Sequence, residues 1–137
     1  MEQKMIDIIC IKVDEEFDFM PYLNYFEVEI QNKIKQFYHY KDMLIAFASE
    51  LVKKYYLAKY LNISPIDIDI KYTKYGKPYL TNKKIHFNIS HSGDYLVVAI
   101  SDTYDLGIDI EQYHYDIIPS ELGQMVFSSS EQILVNN

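Results

Sequence analysis

Two acids one residue apart, Asp109 and Glu111 in the run LGIDIE, are the side chains of this sequence best suited to chemistry. In an extended strand successive side chains alternate faces, so Asp109 and Glu111 would share one side and Ile108 and Ile110 the other. Two converging carboxylates suit Mg2+, which prefers hard oxygen ligands and is usually held by one or two acids, with waters and substrate phosphates completing its shell. The same spacing fits a half-solvated edge strand whose polar face happens to be acidic, and spacing alone does not choose between the two. Upstream, His91 lies between Ser90 and Ser92, just before Gly93. A histidine and a serine at a strand end either make the local hydrogen bonds of a turn or grip phosphate oxygens. Adjacency does not make them a hydrolase, because nucleophile and base must face each other in space, and no GxSxG elbow is present. Lys77, in YGKP, is either a solvated turn lysine or a point-charge partner for phosphate.

The elements that must position these residues are mixed. Met5 to Val13 reads as a first strand, with Cys10 expected to be buried in its apolar run. Glu27 to Tyr38 fits neither period cleanly. Asp42 can cap a long helix from Met43 to about Leu61, in which Leu44, Phe47, Ala48, Leu51, Val52, Tyr55 and Tyr56 recur at helical spacing, and Asn62 is a plausible stop. Lys33, Lys35, Lys53 and Lys54 read as solvated helix faces. Beyond Pro65, residues Ile66, Ile68, Ile70 and Tyr72 alternate with polar partners as in a strand, and YGKP breaks the pattern as a turn. Three further strands are expected at about Lys84 to Ser90, Tyr95 to Ser101 and Leu106 to Glu111, joined by the turns HSGD and DTYD. Connections this short favour antiparallel pairing, so the fold class is α+β, an antiparallel sheet of about four to five strands packed on one long helix. Near the end, Ser128 and Glu131 have the spacing of a capping box that opens another helix.

Composition bounds the rest. With 137 residues and 49% apolar content the chain is about one domain with a real core, and its 14 Tyr and 7 Phe argue against disorder. A net charge of −7, with lysines scattered rather than gathered in a stripe, argues against nucleic-acid binding. A single cysteine allows no intramolecular disulfide, and the chain shows neither a signal-peptide pattern nor an apolar run long enough to span a bilayer, so a cytoplasmic protein without membrane contact is expected.

Taken in order, YGKP at Tyr75 to Pro78, FNISHSG at Phe87 to Gly93 and GIDIE at Gly107 to Glu111 closely resemble the surfactin-synthetase type of 4'-phosphopantetheinyl transferase. FYHYKD at Phe37 to Asp42 looks like that family's opening of the long helix, and VFSSSE at Val126 to Glu131 is similar to the segment that follows its first half. The resemblance runs from about Gln31 onward. It implies that Asp109 and Glu111 ligate Mg2+ against the pyrophosphate of coenzyme A, and that Lys77, Ser90 and His91 contact coenzyme A phosphates, with Lys33 near a further basic contact. It implies transfer of the phosphopantetheine arm to a serine of an apo acyl or peptidyl carrier protein, releasing adenosine 3',5'-bisphosphate. Where the family usually has an arginine early in the long helix, this sequence offers Leu44 and Ile45. It also has no tryptophan, and the family's second half carries a tryptophan, lysine and glutamate motif with a third metal ligand. Residues 1–137 are therefore expected to form a single domain matching the first half of a two-half pseudo-dimer, the second half being absent. Self-association or a complementary second half is expected to complete the cleft. A non-catalytic domain that binds coenzyme A or a carrier protein is the alternative.

Overall fold

A computed structural model describes residues 5–81 and 84–113; the capping-box segment at Ser128 and Glu131 lies outside them. Strand β1 (Ile6–Lys12) leads through a 3-10 turn at Met20–Tyr25 to helix α1 (Val28–Lys35), which makes the ambiguous Glu27 to Tyr38 stretch helical in its first part only. The long helix, α2, runs through Tyr40–Leu51, a π turn at Val52–Tyr56 and Leu57–Leu61 without a break. It starts earlier than expected. His39 occupies the N-cap and makes no side-chain cap bond, while Asp42 sits in the first turn, where a carboxylate favours the positive end of the helix dipole. Asn62 does end the helix, in the left-handed conformation.

Among the described residues five strands divide between two antiparallel sheets. β2 (Ile70–Tyr72) and β3 (Pro78–Leu80) form a two-stranded hairpin, and β1, β4 (His86–Ser92) and β5 (Tyr95–Ser101) form a three-stranded sheet in the order β1-β5-β4. The expected strand from Ile66 is shorter, because Pro65 and its neighbours form a 3-10 turn at Pro65–Asp67 before extended backbone begins. Both tight turns use glycine at positive φ, Gly76 at 84° and Gly93 at 57°, as sharp reversals demand.

Helix α2 joins two packed clusters. Its first half, through Leu44, Ile45 and Phe47, meets Phe19, Leu23, Phe26 and Ile34. Its second half, through Val52 and Leu57, lies on the sheet against Phe87, Leu96, Val98 and Ile100. The π turn contributes to both, Tyr55 packing on the first cluster and Val52 and Tyr56 on the second. Each fully buried side chain of this size contributes about 1.5–3 kcal/mol, so the sheet is fastened to the helix mainly by its odd-numbered β4 and even-numbered β5 residues. Cys10 is a correction: it is exposed, because β1 turns Ile9 and Ile11 toward the helix and leaves Ile6, Ile8 and Cys10 outward. Among the described residues no helix is long and apolar enough to cross a membrane.

Candidate functional site

The sequence-predicted residues gather around β4, but on both of its faces. Phe87 and Ile89 belong to the face that packs on the helix, and alternation puts His91 on that face and Ser90 and Ser92 on the other. Neighbours in sequence therefore serve different environments.

On the outward face, Ser90 and Ser92 hold the segment that carries the acids. The chain leaves β5 at Ser101, a fully buried serine whose Oγ accepts the backbone N–H groups of Thr103 and Tyr104, each at 3.1 Å, and so turns the chain back. Lys77 then anchors the returning segment, donating from Nζ to Asp105 Oδ1 at 2.8 Å and to the Leu106 carbonyl at 2.9 Å. Lys77 itself is set by its turn, in which Thr73 Oγ1 accepts its backbone N–H at 3.1 Å. Further along, Ser90 Oγ donates to Asp109 Oδ1 at 3.0 Å and accepts the Ile110 N–H at 3.3 Å, and Ser92 Oγ accepts the Gln112 N–H at 2.8 Å. Two steps along β4 match two steps along the segment, so the two run parallel.

The expected strand from Leu106 to Glu111 is thus corrected: the stretch has no strand ladder. The N–H groups of Ile110 and Gln112 go to serine hydroxyls, and such side-chain acceptors compete with ladder formation. The predicted alternation survives without the ladder. Leu106, Ile108 and Ile110 are half-buried, while Asp109 and Glu111 are exposed. The Lys77 ammonium beside Asp105 holds that carboxyl below the usual aspartate range.

On the helix face, His91 lines a cavity of about 210 Å3 together with Lys33, Asp42, Ser49, Glu50 and Lys53. Lys33 Nζ donates to Glu50 Oε1 at 3.1 Å, and Lys53 Nζ donates to the same oxygen at 2.7 Å and to the Tyr72 hydroxyl at 3.0 Å. Glu50 and Lys53 are both buried, which corrects the reading of Lys53 as a solvated helix lysine. Burial opposes the charge on Lys53, but the hydrogen bonds and charges of Glu50 and Tyr72 outweigh it, and its pKa lies above the ordinary lysine range. Sequence reasoning passed over Glu50 and gave Lys53 and Tyr72 no part in a site. The one available signal was the i,i+3 spacing of Glu50 and Lys53 on a helix. Lys54 is paired with Glu27 at 2.6 Å.

The donor chemistry of the outward face suits a hard cation, since Asp109 and Glu111 offer only carboxylate oxygens and both are exposed. Among the described residues no group of three His, Cys, Asp or Glu side chains gathers as a metal site.

The lysine- and histidine-lined cavity on one side of β4 and the acid segment on the other acquire a class from the sequence comparisons. A family model described as "4'-phosphopantetheinyl transferase, N-terminal" matches residues 14–103. The chain belongs to the 4'-phosphopantetheinyl transferase family. It is 33% identical to a 4'-phosphopantetheinyl transferase of Aneurinibacillus migulanus over 94% of this chain and 54% of that protein. It is 34% identical to one of Bacillus subtilis over 75% of this chain and 45% of the relative. A rat L-aminoadipate-semialdehyde dehydrogenase-phosphopantetheinyl transferase is 36% identical over 60% of this chain and 28% of the relative. The chain spans about half the length of the bacterial relatives it matches.

Proposed function

We propose that this chain supplies the coenzyme A and metal half of an active site that moves the 4'-phosphopantetheine arm from coenzyme A to a serine of an acyl or peptidyl carrier protein. The observation that carries this reading is the convergence of the three motifs: Lys77 of YGKP and Ser90 of FNISHSG both bind the segment that presents Asp109 and Glu111 of GIDIE. In this reading Asp109 and Glu111 hold Mg2+, which when bound would offset negative charge developing on the phosphoryl oxygens. Ser90 orients Asp109 through the bond it donates. Lys77 keeps the acid segment against β4 and presents a point charge at its start, while His91 and Lys33 provide cationic or hydrogen-bonding contacts to phosphate from the helix face. Two exposed carboxylates alone bind Mg2+ weakly, so the reading includes a complementary second half, from another polypeptide or a second copy of this chain. The free thiol of Cys10 is in keeping with a cytoplasmic setting.

The test is direct. Incubated with Mg2+, coenzyme A and an apo carrier protein, the purified chain at high concentration is expected to add the phosphopantetheine mass to the carrier, and Asp109→Ala is expected to abolish the addition. No addition by the parent chain would overturn catalysis by this chain without a partner. An addition unaffected by Asp109→Ala would overturn the metal assignment. The second reading is a domain that binds coenzyme A or a carrier protein without turnover; coenzyme A binding without mass addition to the carrier would select it.

A further inference from the structure

The helix-face cavity holds more cationic machinery than the motifs account for. Lys53 lies in the π turn at Val52–Tyr56, an element that inserts a residue into the helical ladder and re-aims the side chains it carries. Lys54, the next residue, pairs with Glu27, while Lys53 bonds Glu50 and Tyr72 and alone of the two also lines the cavity that holds His91. Lys33 and Lys53 are matched on the wall by two acids, Glu50 and Asp42, and only Glu50 is hydrogen-bonded to them. Lys33 and Lys53 both donate to one oxygen, Glu50 Oε1, so two ammonium groups share a single carboxylate. Lys33 is about half exposed at the mouth, with 51% of its side-chain surface accessible, whereas the Lys53 side chain retains 9%. Solvent screens the first charge and hardly reaches the second. The cavity that both line measures about 210 Å3, roughly seven times the 30 Å3 share of a liquid water molecule, which leaves room for a phosphate-sized group. His91 lines the same space, and Asp42 is the other acid on its wall.

We infer that Lys53 is a further anion-binding residue of this protein, a buried cation that contacts a phosphate group in the cavity it shares with Lys33 and His91, with Glu50 as the carboxylate that positions both lysines and competes with the ligand for them. This deepens the coenzyme A reading and rests on it only for the identity of the ligand. Glu50 then has a sign opposite to that of a simple scaffold residue. It holds the lysines in place when the cavity is empty and weakens their grip on an anion.

Two substitutions with opposite expected effects separate this role from a structural one. Lys53→Met keeps the length of the side chain and removes its charge; Glu50→Gln keeps an acceptor for the lysines and removes the opposing charge. Titration calorimetry of the full chain in Mg2+ with coenzyme A, and separately with inorganic pyrophosphate, reads both. Lys53→Met is expected to weaken binding about tenfold, the loss of one charge-assisted hydrogen bond. Glu50→Gln is expected to tighten binding severalfold. Thermal unfolding of each variant confirms that the titrated protein is folded, and Lys53→Arg is expected to restore most of the affinity if Lys53→Met does not fold. Coenzyme A binding that neither substitution changes would overturn the inference and leave the proposed function standing. Binding of pyrophosphate alone, with the same opposite responses, would support the inference and overturn the coenzyme A reading. A parent chain that binds neither ligand, or variants that shift affinity in the same direction, would overturn it.

Discussion

The two faces of β4 are built by opposite means. On the helix face, His91 looks into a cavity whose charged groups are packed between α1, α2 and the β2-β3 hairpin, and whose central ion pair, Glu50 with Lys53, is buried. On the outward face, Asp109 and Glu111 ride on a segment without regular secondary structure, fastened by the hydroxyls of Ser90, Ser92 and Ser101 and by one half-buried lysine, Lys77. The first is preorganised by the core. The second is held by a handful of bonds, each worth about 1 kcal/mol net, so its final geometry is open to adjustment by whatever it binds.

That difference predicts which changes unfold the protein and which only disarm it. Glu50→Ala strands a buried ammonium and is expected to cost about 3 kcal/mol in urea unfolding, whereas Asp109→Ala removes an exposed acid and is expected to stay within about 0.5 kcal/mol of the parent. Equal losses would erase the contrast between the faces. Ser90→Ala deletes a donor to Asp109 and the acceptor of the Ile110 N–H together. Hydrogen exchange at Ile110 and Gln112 is expected to accelerate about tenfold while the amides of β5 keep their protection, since about 1.4 kcal/mol of local stability corresponds to a factor of ten. Acceleration spread evenly over the sheet would show that the segment is part of the core.

The smallest effect concerns pH. Lys77 depresses the folded-state pKa of Asp105 through its hydrogen bond and charge. The unfolded chain therefore takes up this proton first as pH falls. The stabilisation is fully present above about pH 4 and is lost as pH drops through the depressed folded value. Both partners reach solvent, so the readout is the carboxyl resonance of Asp105: its titration midpoint is expected to move upward in Lys77→Ala. An unchanged midpoint would remove Lys77 as the anchor of the acid segment.

Much of the site was legible because its determinants are local. YGKP and HSGD contain the glycines that tight turns need, Asn62 supplies the left-handed helix stop, and period-two alternation correctly placed Asp109 and Glu111 opposite Ile108 and Ile110. The errors share one cause. In β1 nearly every residue is apolar, so alternation states that Cys10 and Ile9 face apart but not which of them the helix covers. In α2 a lysine reads as solvated unless its acid and its burial are known, and Lys53 owes both to a π turn and a hairpin distant in sequence.

The sequence by itself determined the motif order, the acid pair, the turns and the membership of the 4'-phosphopantetheinyl transferase family, because these depend on residue identity and short spacing. Only the tertiary structure decided that Ser90 and His91 work on opposite faces, that the acid segment hangs from serine hydroxyls rather than a ladder, and that Lys33 and Lys53 share one carboxylate. Those outcomes depend on which face of a strand is covered and what lies across the gap, and long-range packing alone fixes both.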